Sequence, residues 1–395
     1  MKQRLFLVSE LFYPDQTSTA YIMTEIASKL SHDYDVKVIC GPKNYNSFNL
    51  ESVPFEVENI EVHRASSINW NKNKLFTRII RIIILSVKLA LSVLEKVKKG
   101  DKVVLVTNPA LALVLISLIT KWKHAILVII VHDVFPDNLS AAGISTGGSF
   151  FIKTLKKIFN NSYARANQLI VLGRDMKKLM LSKINNSKNK PKISIIENWA
   201  DVENIYPTKK ELSKKIKLQF AGNFGRVQGL LSLLQCIKDA NNSNIIVDFI
   251  GEGAMEKEMR QFCSKYNLSG VNILPPFKRS QQLFILNSTD IGIVSLTKGM
   301  KGLGVPSKTY NILAAGKPIL YIGERESEIY QLIEEYGVGW CFDDYNQRLI
   351  SFLKSIDINM ANELISKGEK ARALAVNKFS KEAILHNYHK VISSL

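Results

Sequence analysis

Phe220-Ala221-Gly222-Asn223-Phe224-Gly225-Arg226-Val227-Gln228-Gly229-Leu230 is the stretch that decides the fold, together with Gly302-Leu303-Gly304-Val305-Pro306-Ser307-Lys308 about eighty residues further on. The second stretch runs on through Thr309-Tyr310-Asn311-Ile312-Leu313 to Ala314-Ala315-Gly316-Lys317-Pro318. Each follows a short apolar run and opens an apolar-periodic one, the pattern of a strand-to-helix turn. Such turns gather unpaired backbone N–H groups at the positive end of a helix dipole, a setting that suits a phosphate. With Arg226 and Lys308 beside them, two such turns on one half-chain point to a nucleotide diphosphate at the carboxyl edge of a parallel sheet.

Outward from these turns the same rhythm continues. Strands are expected at Lys217–Phe220, Ile246–Ile250, Val271–Leu274, Ile291–Ser295 and Pro318–Ile322. In the first half they are expected at Arg4–Ser9, Val36–Cys40, Val103–Thr107, Ile126–Val131, Gln168–Leu172 and Ile193–Ile196. Helical-period segments lie between them at Thr19–Leu30, Leu75–Lys98, Leu111–Ile119, Ile152–Ala166 and Arg174–Lys183. Alternation of this kind makes an α/β protein with mostly parallel, doubly wound sheets. The rhythm pauses at the polar stretch Asn198–Lys215, read as a linker between a first domain over residues 1–200 and a second over 201–378. Residues 379–395 have a helical pattern whose docking site cannot be read. Two such domains facing each other leave a cleft where two substrates can meet, since functional loops sit at the carboxyl ends of strands.

Length agrees: 395 residues exceed one ordinary core and suit two domains. The apolar content of 46% and charged content of 22% are those of a globular chain, not a disordered one. Cys40, Cys236, Cys263 and Cys341 are scattered without a CxxC pair, so neither a disulfide framework nor a zinc site is indicated, and a reducing cytosol is expected. Met1-Lys2-Gln3-Arg4 leads straight into an apolar run, so no signal peptide is read.

The net charge of +18 is concentrated in the first half, where 28 Lys and Arg stand against 15 Asp and Glu. Residues 72–102 alone hold 9 basic and 2 acidic side chains around the apolar run Leu75–Leu91. Arg78, Arg81 and Lys88 fall at helical spacings and can share a face, as an interfacial helix on an anionic membrane surface requires. Three interior cations argue against a membrane span. The plainer alternative is a domain helix with a solvated basic edge. No aromatic–basic interleaving supports a nucleic-acid partner.

Gly222 and Gly225 let the backbone approach a ligand with no Cβ in the way, and Arg226 can fork onto phosphate oxygens. Gly251-Glu252-Gly253 also follows a strand and opens a helix, by itself a weak signal. The phrases AGNFGRVQGL (221–230), PSK…NILAAGKP (306–318) and ENWAD (197–201) resemble those of family-4-type retaining glycosyltransferases with the GT-B fold, two Rossmann-like domains facing across a cleft. The subgroup they resemble builds bacterial O-antigen, capsule and colanic-acid-like surface polysaccharides.

This resemblance implies a UDP-sugar donor held by the second domain. It places Gly222, Asn223, Gly225, Gln228, Gly251 and Gly253 near the nucleotide, with the Pro275–Lys278 loop and Phe277 beside the base. Gly304, Val305, Pro306 and Ser307 are expected against the donor, with Lys308 and Arg226 on the diphosphate. More distant relatives carry Arg and Lys where this chain has Asn223 and Gln228, and two Glu where it has Leu303 and Asn311. Asn311 can still accept ribose hydrogen bonds through its amide oxygen; Leu303 cannot stand in for a carboxylate. In the first domain, His132 at a strand end is implied to orient the donor sugar or its phosphate, and Asp133 and Asp137 to meet the acceptor hydroxyl. Thr17, Ser18 and Thr19 replace a Gly-Gly loop; their hydroxyls either cap the following helix or donate to a phosphate. Asn198 and Asp201 can fix a turn at the domain junction.

The expected catalytic set is therefore His132, Lys308, Arg226 and Asp133, with no tightly bound cofactor. No DxD-type carboxylate pair stands out, so no metal is required, and Mg²⁺ assistance stays open. The implied acceptor is a polyprenyl-diphosphate-linked glycan at the cytoplasmic face of the membrane, and the sugar an N-acetylated amino sugar in keeping with the subgroup. Three alternatives stay open: a GDP-sugar donor, a nucleotide-sugar 2-epimerase of similar two-domain shape, and a non-catalytic subunit of glycan assembly.

Overall fold

The computed structural model describes residues 2–15, 17–43, 60–66, 75–141, 150–185, 187, 190–208 and 215–395. The chain separates into two compact units. The first takes in the described residues up to Ser140, those from Phe150 to Ile196, and the tail from Leu385. The second runs from Glu197 to Ile384 and includes Ala141.

In the first unit the order is β1 (Gln3–Ser9), α1 (Ser18–Ser31), β2 (Tyr34–Cys40), β3 (Glu61–Arg64), α2 (Leu75–Lys96), β4 (Lys102–Val106), α3 (Ala110–Trp122) and β5 (Ile126–Val131). It continues with α4 (Asp137–Ala141), α5 (Phe150–Ala164), β6 (Gln168–Val171), α6 (Arg174–Ile184) and β7 (Lys192–Ile195). The seven strands lie in the order β3-β2-β1-β4-β5-β6-β7, every pair parallel. Strands β4 and β5 read Val-Val-Leu-Val and Leu-Val-Ile-Ile-Val without a polar break, because helices cover both faces of a parallel sheet.

The second unit contains β8 (Ile216–Ala221), α7 (Leu230–Ala240), β9 (Ile245–Ile250), α8 (Glu256–Lys265), β10 (Val271–Leu274), α9 (Gln282–Asn287), β11 (Ile291–Ser295) and α10 (Lys308–Ala314). Then follow β12 (Ile319–Ile322), α11 (Glu328–Tyr336), β13 (Gly339–Phe342), α12 (Gln347–Ser355) and α13 (Ala361–Lys378); α14 (Lys381–Ser393) starts in this unit and belongs to the first from Leu385 on. Its six parallel strands lie in the order β10-β9-β8-β11-β12-β13. Strand order reverses direction between β8 and β11 here, and between β1 and β4 in the first sheet. Those are the switch points where crevices open at the carboxyl ends of open α/β sheets. The core beneath β8 is built on Phe220, Phe224 and Phe249, with Phe220 6.2 Å from Phe224 and 6.3 Å from Phe249 between ring centroids. Each such buried ring stabilises the fold by about 1.5–3 kcal/mol.

Two strands were not foreseen, β3 and β13, both four residues long. The tail finds its seat in the first unit. Lys102 Nζ donates to the Ile392 carbonyl at 2.8 Å and to Tyr34 Oη at 3.1 Å, while Tyr34 Oη donates to Ser393 Oγ at 3.2 Å. His389 Nε2 stands 2.7 Å from Asp33 Oδ2.

Candidate functional site

Both glycine-punctuated stretches leave the second sheet at its switch point, one from the end of β8 and one from the end of β11. The backbone at Gly222, Gly251 and Gly253 has φ of 143°, 149° and 156°, where side-chain-bearing residues are strained. A Cβ at Gly251 would collide with the Gly222 carbonyl oxygen, so the turns after β8 and β9 pack backbone to backbone. Phe224 N–H donates to the Glu252 carbonyl at 2.8 Å, and Met255 N–H to the Phe224 carbonyl at 3.0 Å. Among the described residues, the N–H groups of Asn223, Gly225, Gly304 and Val305 meet no acceptor. Unsatisfied donors of this kind are the raw material of an anion site.

Lys308 opens α10 and turns its side chain inward. Its ammonium lies 3.4 Å from the centroid of the Phe220 ring, and a Cβ on Gly222 would come within 2.9 Å of Nζ. Among the described residues no carboxylate or carbonyl pairs with it. Burial pushes its pKa down to about 7. Arg226 is exposed in the short 3₁₀ turn Arg226–Gln228, and the buried Gln228 Oε1 has no hydrogen-bond partner. Phe277, Lys308 and Asn311 line one pocket of about 40 Å³ with Gln219, Ala221 and Ile312. That volume holds a few water molecules, not a nucleobase.

Asn311 departs from expectation. Its amide oxygen accepts a hydrogen bond from Asp201 N–H at 3.2 Å, so one of the two lone pairs assigned to a ribose serves the fold. Asp201 in turn accepts from Asn204 at 2.9 Å and stands 3.4 Å from Arg279. Leu303 is buried, Gly304 and Val305 lead past Pro306, and Ser307 caps α10 without a side-chain hydrogen bond. The residue that orders this loop went unnoticed in the sequence: Glu324 Oε2 accepts from Gly299 N–H at 2.8 Å and Lys301 N–H at 3.0 Å.

At the carboxyl edge of the first sheet, Thr107 Oγ1 accepts from the backbone N–H of both His132 and Asp133, each at 3.2 Å. His132 Nε2 is buried without a partner, and burial lowers the ring's pKa to about 4, so the imidazole is neutral. Asp133 is raised by burial, opposed by a 3.0 Å hydrogen bond from Asn108. Asp137 ion-pairs with Lys183 and, at 3.1 Å, with Lys156. Burial acts to raise its pKa, and these two ammonium groups outweigh it and hold the carboxyl low. Thr17 accepts from Ala20 N–H at 3.2 Å as the N-cap of α1, the capping role, while Ser18 and Thr19 begin the helix. Among the described residues, no three His, Cys, Asp or Glu side chains gather as a metal-ligand set.

No protein-family model matches the sequence. WbjE of Pseudomonas aeruginosa, a probable glycosyltransferase, is 30% identical over 99% of this chain and 98% of its own length. The chain belongs to this glycosyltransferase family. WcaI of Escherichia coli, a putative colanic acid biosynthesis glycosyl transferase, is 25% identical over 45% of this glycosyltransferase and 42% of its own length. The fold is that of GT-B enzymes: HepE of Anabaena, solved with UDP and glucose, superposes with a TM-score of 0.71 over the whole of both chains at 14% identity.

Lys88 is tied to Ser66, 3.0 Å from the carbonyl and 2.5 Å from Oγ, and the Arg78 side chain lies outside the described residues. The described part of α2 also exposes aliphatic side chains, Ile83, Val87, Leu91 and Leu94, Leu91 by 57%. Neighbouring α3 exposes Leu118 and Trp122, the latter by 72%; Lys98 and Lys99 just after α2 and Lys121 next to Trp122 are exposed too, as is Glu95. No helix among the described residues is long and apolar enough to cross a membrane.

Proposed function

We propose that this glycosyltransferase moves a sugar from a UDP-sugar, with retention at the anomeric carbon, onto a polyprenyl-diphosphate-linked precursor of a bacterial surface polysaccharide. Support for the substrate classes comes from the relatives: one is named for colanic acid biosynthesis, and another was solved with UDP. The observation that carries the reading is the unpartnered Lys308 ammonium beside Gly222, flanked by turns whose N–H groups lack acceptors. A buried cation without a counter-charge costs several kcal/mol, and a diphosphate supplies the missing anion.

In the transfer, the acceptor oxygen bonds to the anomeric carbon as the bond from that carbon to the phosphate oxygen breaks. The departing UDP keeps the electron pair and takes the acceptor's proton. Lys308, exposed Arg226 and the free turn N–H groups hold the negative charge that grows on the leaving group. On the first unit, neutral His132 orients the sugar or its phosphate, and Asp133 is the carboxyl group for the acceptor side. The sugar in this reading is an N-acetylated amino sugar.

The lipid end of the acceptor brings the protein to the cytoplasmic face of an anionic bilayer. The surface suited to it is that of α2 and α3, which exposes an aliphatic row and Trp122 and carries the exposed Lys98, Lys99 and Lys121 close by in sequence. Titration calorimetry with UDP tests the donor: a 1:1 heat that GDP does not match is expected, and no heat with UDP removes the reading.

A further inference from the structure

We infer that Tyr345, assisted by Ser295, is a positioning residue that holds the turn carrying Arg226 and so sets the grip on the nucleotide diphosphate; this rests on the donor reading above. Tyr345 stands in the connection between β13 and α12, while the turn it touches follows β8. Strands β12 and β11 lie between them in the sheet, so the tyrosine reaches across two strand ends to do it. Tyr345 Oη donates to the Gln228 carbonyl at 3.1 Å, and Ser295 Oγ, at the end of β11, donates to the same oxygen at 2.7 Å. Thr297 N–H holds the preceding Val227 carbonyl at 2.8 Å.

Three donors thus pull two successive carbonyls inward, on the side facing the strand ends. The left-handed Gly229, φ 62°, completes the turn, and a Cβ there would collide with Tyr345 Oη. Gly229 is therefore required twice, for its backbone angle and for the hydroxyl beside it. Arg226 itself is exposed and makes no hydrogen bond or ion pair among the described residues, so the backbone under it is what restrains it. A tyrosine that only filled the core would need its ring, which packs against the hydrophobic core of the second unit, and not its hydroxyl.

Tyr345→Phe keeps the ring and deletes the hydroxyl. Calorimetry with UDP and with uridine, on wild type and variant, reads the effect. The expected result is about a tenfold loss of UDP affinity, the size of one lost charge-orienting hydrogen bond, with uridine affinity unchanged and the melting temperature little altered. Ser295→Ala should act in the same direction, and in Arg226→Ala protein the Tyr345→Phe change should cost nothing further. Equal losses for UDP and uridine, or full additivity with Arg226→Ala, would assign the tyrosine to packing and overturn the inference. If wild type binds UDP and the variant matches it, this inference alone falls. If wild type does not bind UDP, the donor reading falls first and the inference with it.

Discussion

Lys102 on β4 and Lys308 at the start of α10 both carry an ammonium group into the interior, yet the fold treats them in opposite ways. Lys102 is given acceptors, the Ile392 carbonyl and Tyr34 Oη, and through them it anchors the C-terminal tail to the first unit. Lys308 is given only the face of Phe220. A structural buried lysine is paired because an unpaired one costs stability. The second unit bears that cost at the switch point of its sheet, next to turns with unused N–H groups, where the proposed diphosphate would offset it.

Exchange of each lysine for methionine breaks the comparison most sharply. Lys308→Met should lower turnover by about 10²-fold or more, as loss of a transition-state donor does, while raising the melting temperature of the ligand-free protein. Lys102→Met should do the reverse, lowering stability by roughly 1–3 kcal/mol as Tyr34 and the Ile392 carbonyl lose their partner, with UDP binding intact. Thermal melts beside turnover assays decide both; a Lys308→Met protein that is less stable and fully active would erase the distinction.

The pH dependence follows from the same contrast. Folding lowers the Lys308 pKa from 10.5 to about 7, so between those values the unfolded chain binds more protons than the native one. Its burial penalty is therefore complete below pH 7 and fades as pH rises toward 10.5. Stability of the wild type should gain over that window relative to Lys308→Met, which chemical denaturation at pH 7 and pH 9.5 will show. Binding of the diphosphate anion runs the opposite way, favouring the protonated lysine, so UDP affinity should fall as pH climbs above 7. The smallest effect concerns the first unit: Leu91→Ser with Trp122→Ser should weaken partition onto anionic vesicles several-fold without altering UDP binding. Unchanged flotation would leave α2 and α3 as ordinary covering helices.

What was legible in the sequence was local. Gly222, Gly225 and the Pro306-Ser307-Lys308 run sit between an apolar strand and an apolar-periodic helix, so their place at strand ends could be read from spacing alone. Strands β3 and β13, Glu-Val-His-Arg and Gly-Trp-Cys-Phe, are too short and too mixed to signal themselves, and they form because an edge of a sheet is there to pair with. Contacts made over long separations were invisible: Asn311 with Asp201, Tyr345 with Gln228, and the tail with Lys102. The outward face of α3 was hidden for another reason. Ala-Leu-Ala-Leu-Val-Leu-Ile-Ser-Leu-Ile is apolar on every side, so its sequence does not say which side is exposed.

The account stands or falls most directly on proton uptake when UDP binds. Calorimetry at pH 8 in two buffers of different ionisation enthalpy measures it, at a pH where the diphosphate is already fully ionised and His132 is neutral. With Lys308 mostly uncharged in the free protein and charged against the diphosphate, most of one proton should be taken up per UDP, and none in Lys308→Met protein that still binds. Binding of UDP with no proton uptake in the wild type, or with the same uptake after the lysine is gone, would contradict the claim that this ammonium receives the diphosphate.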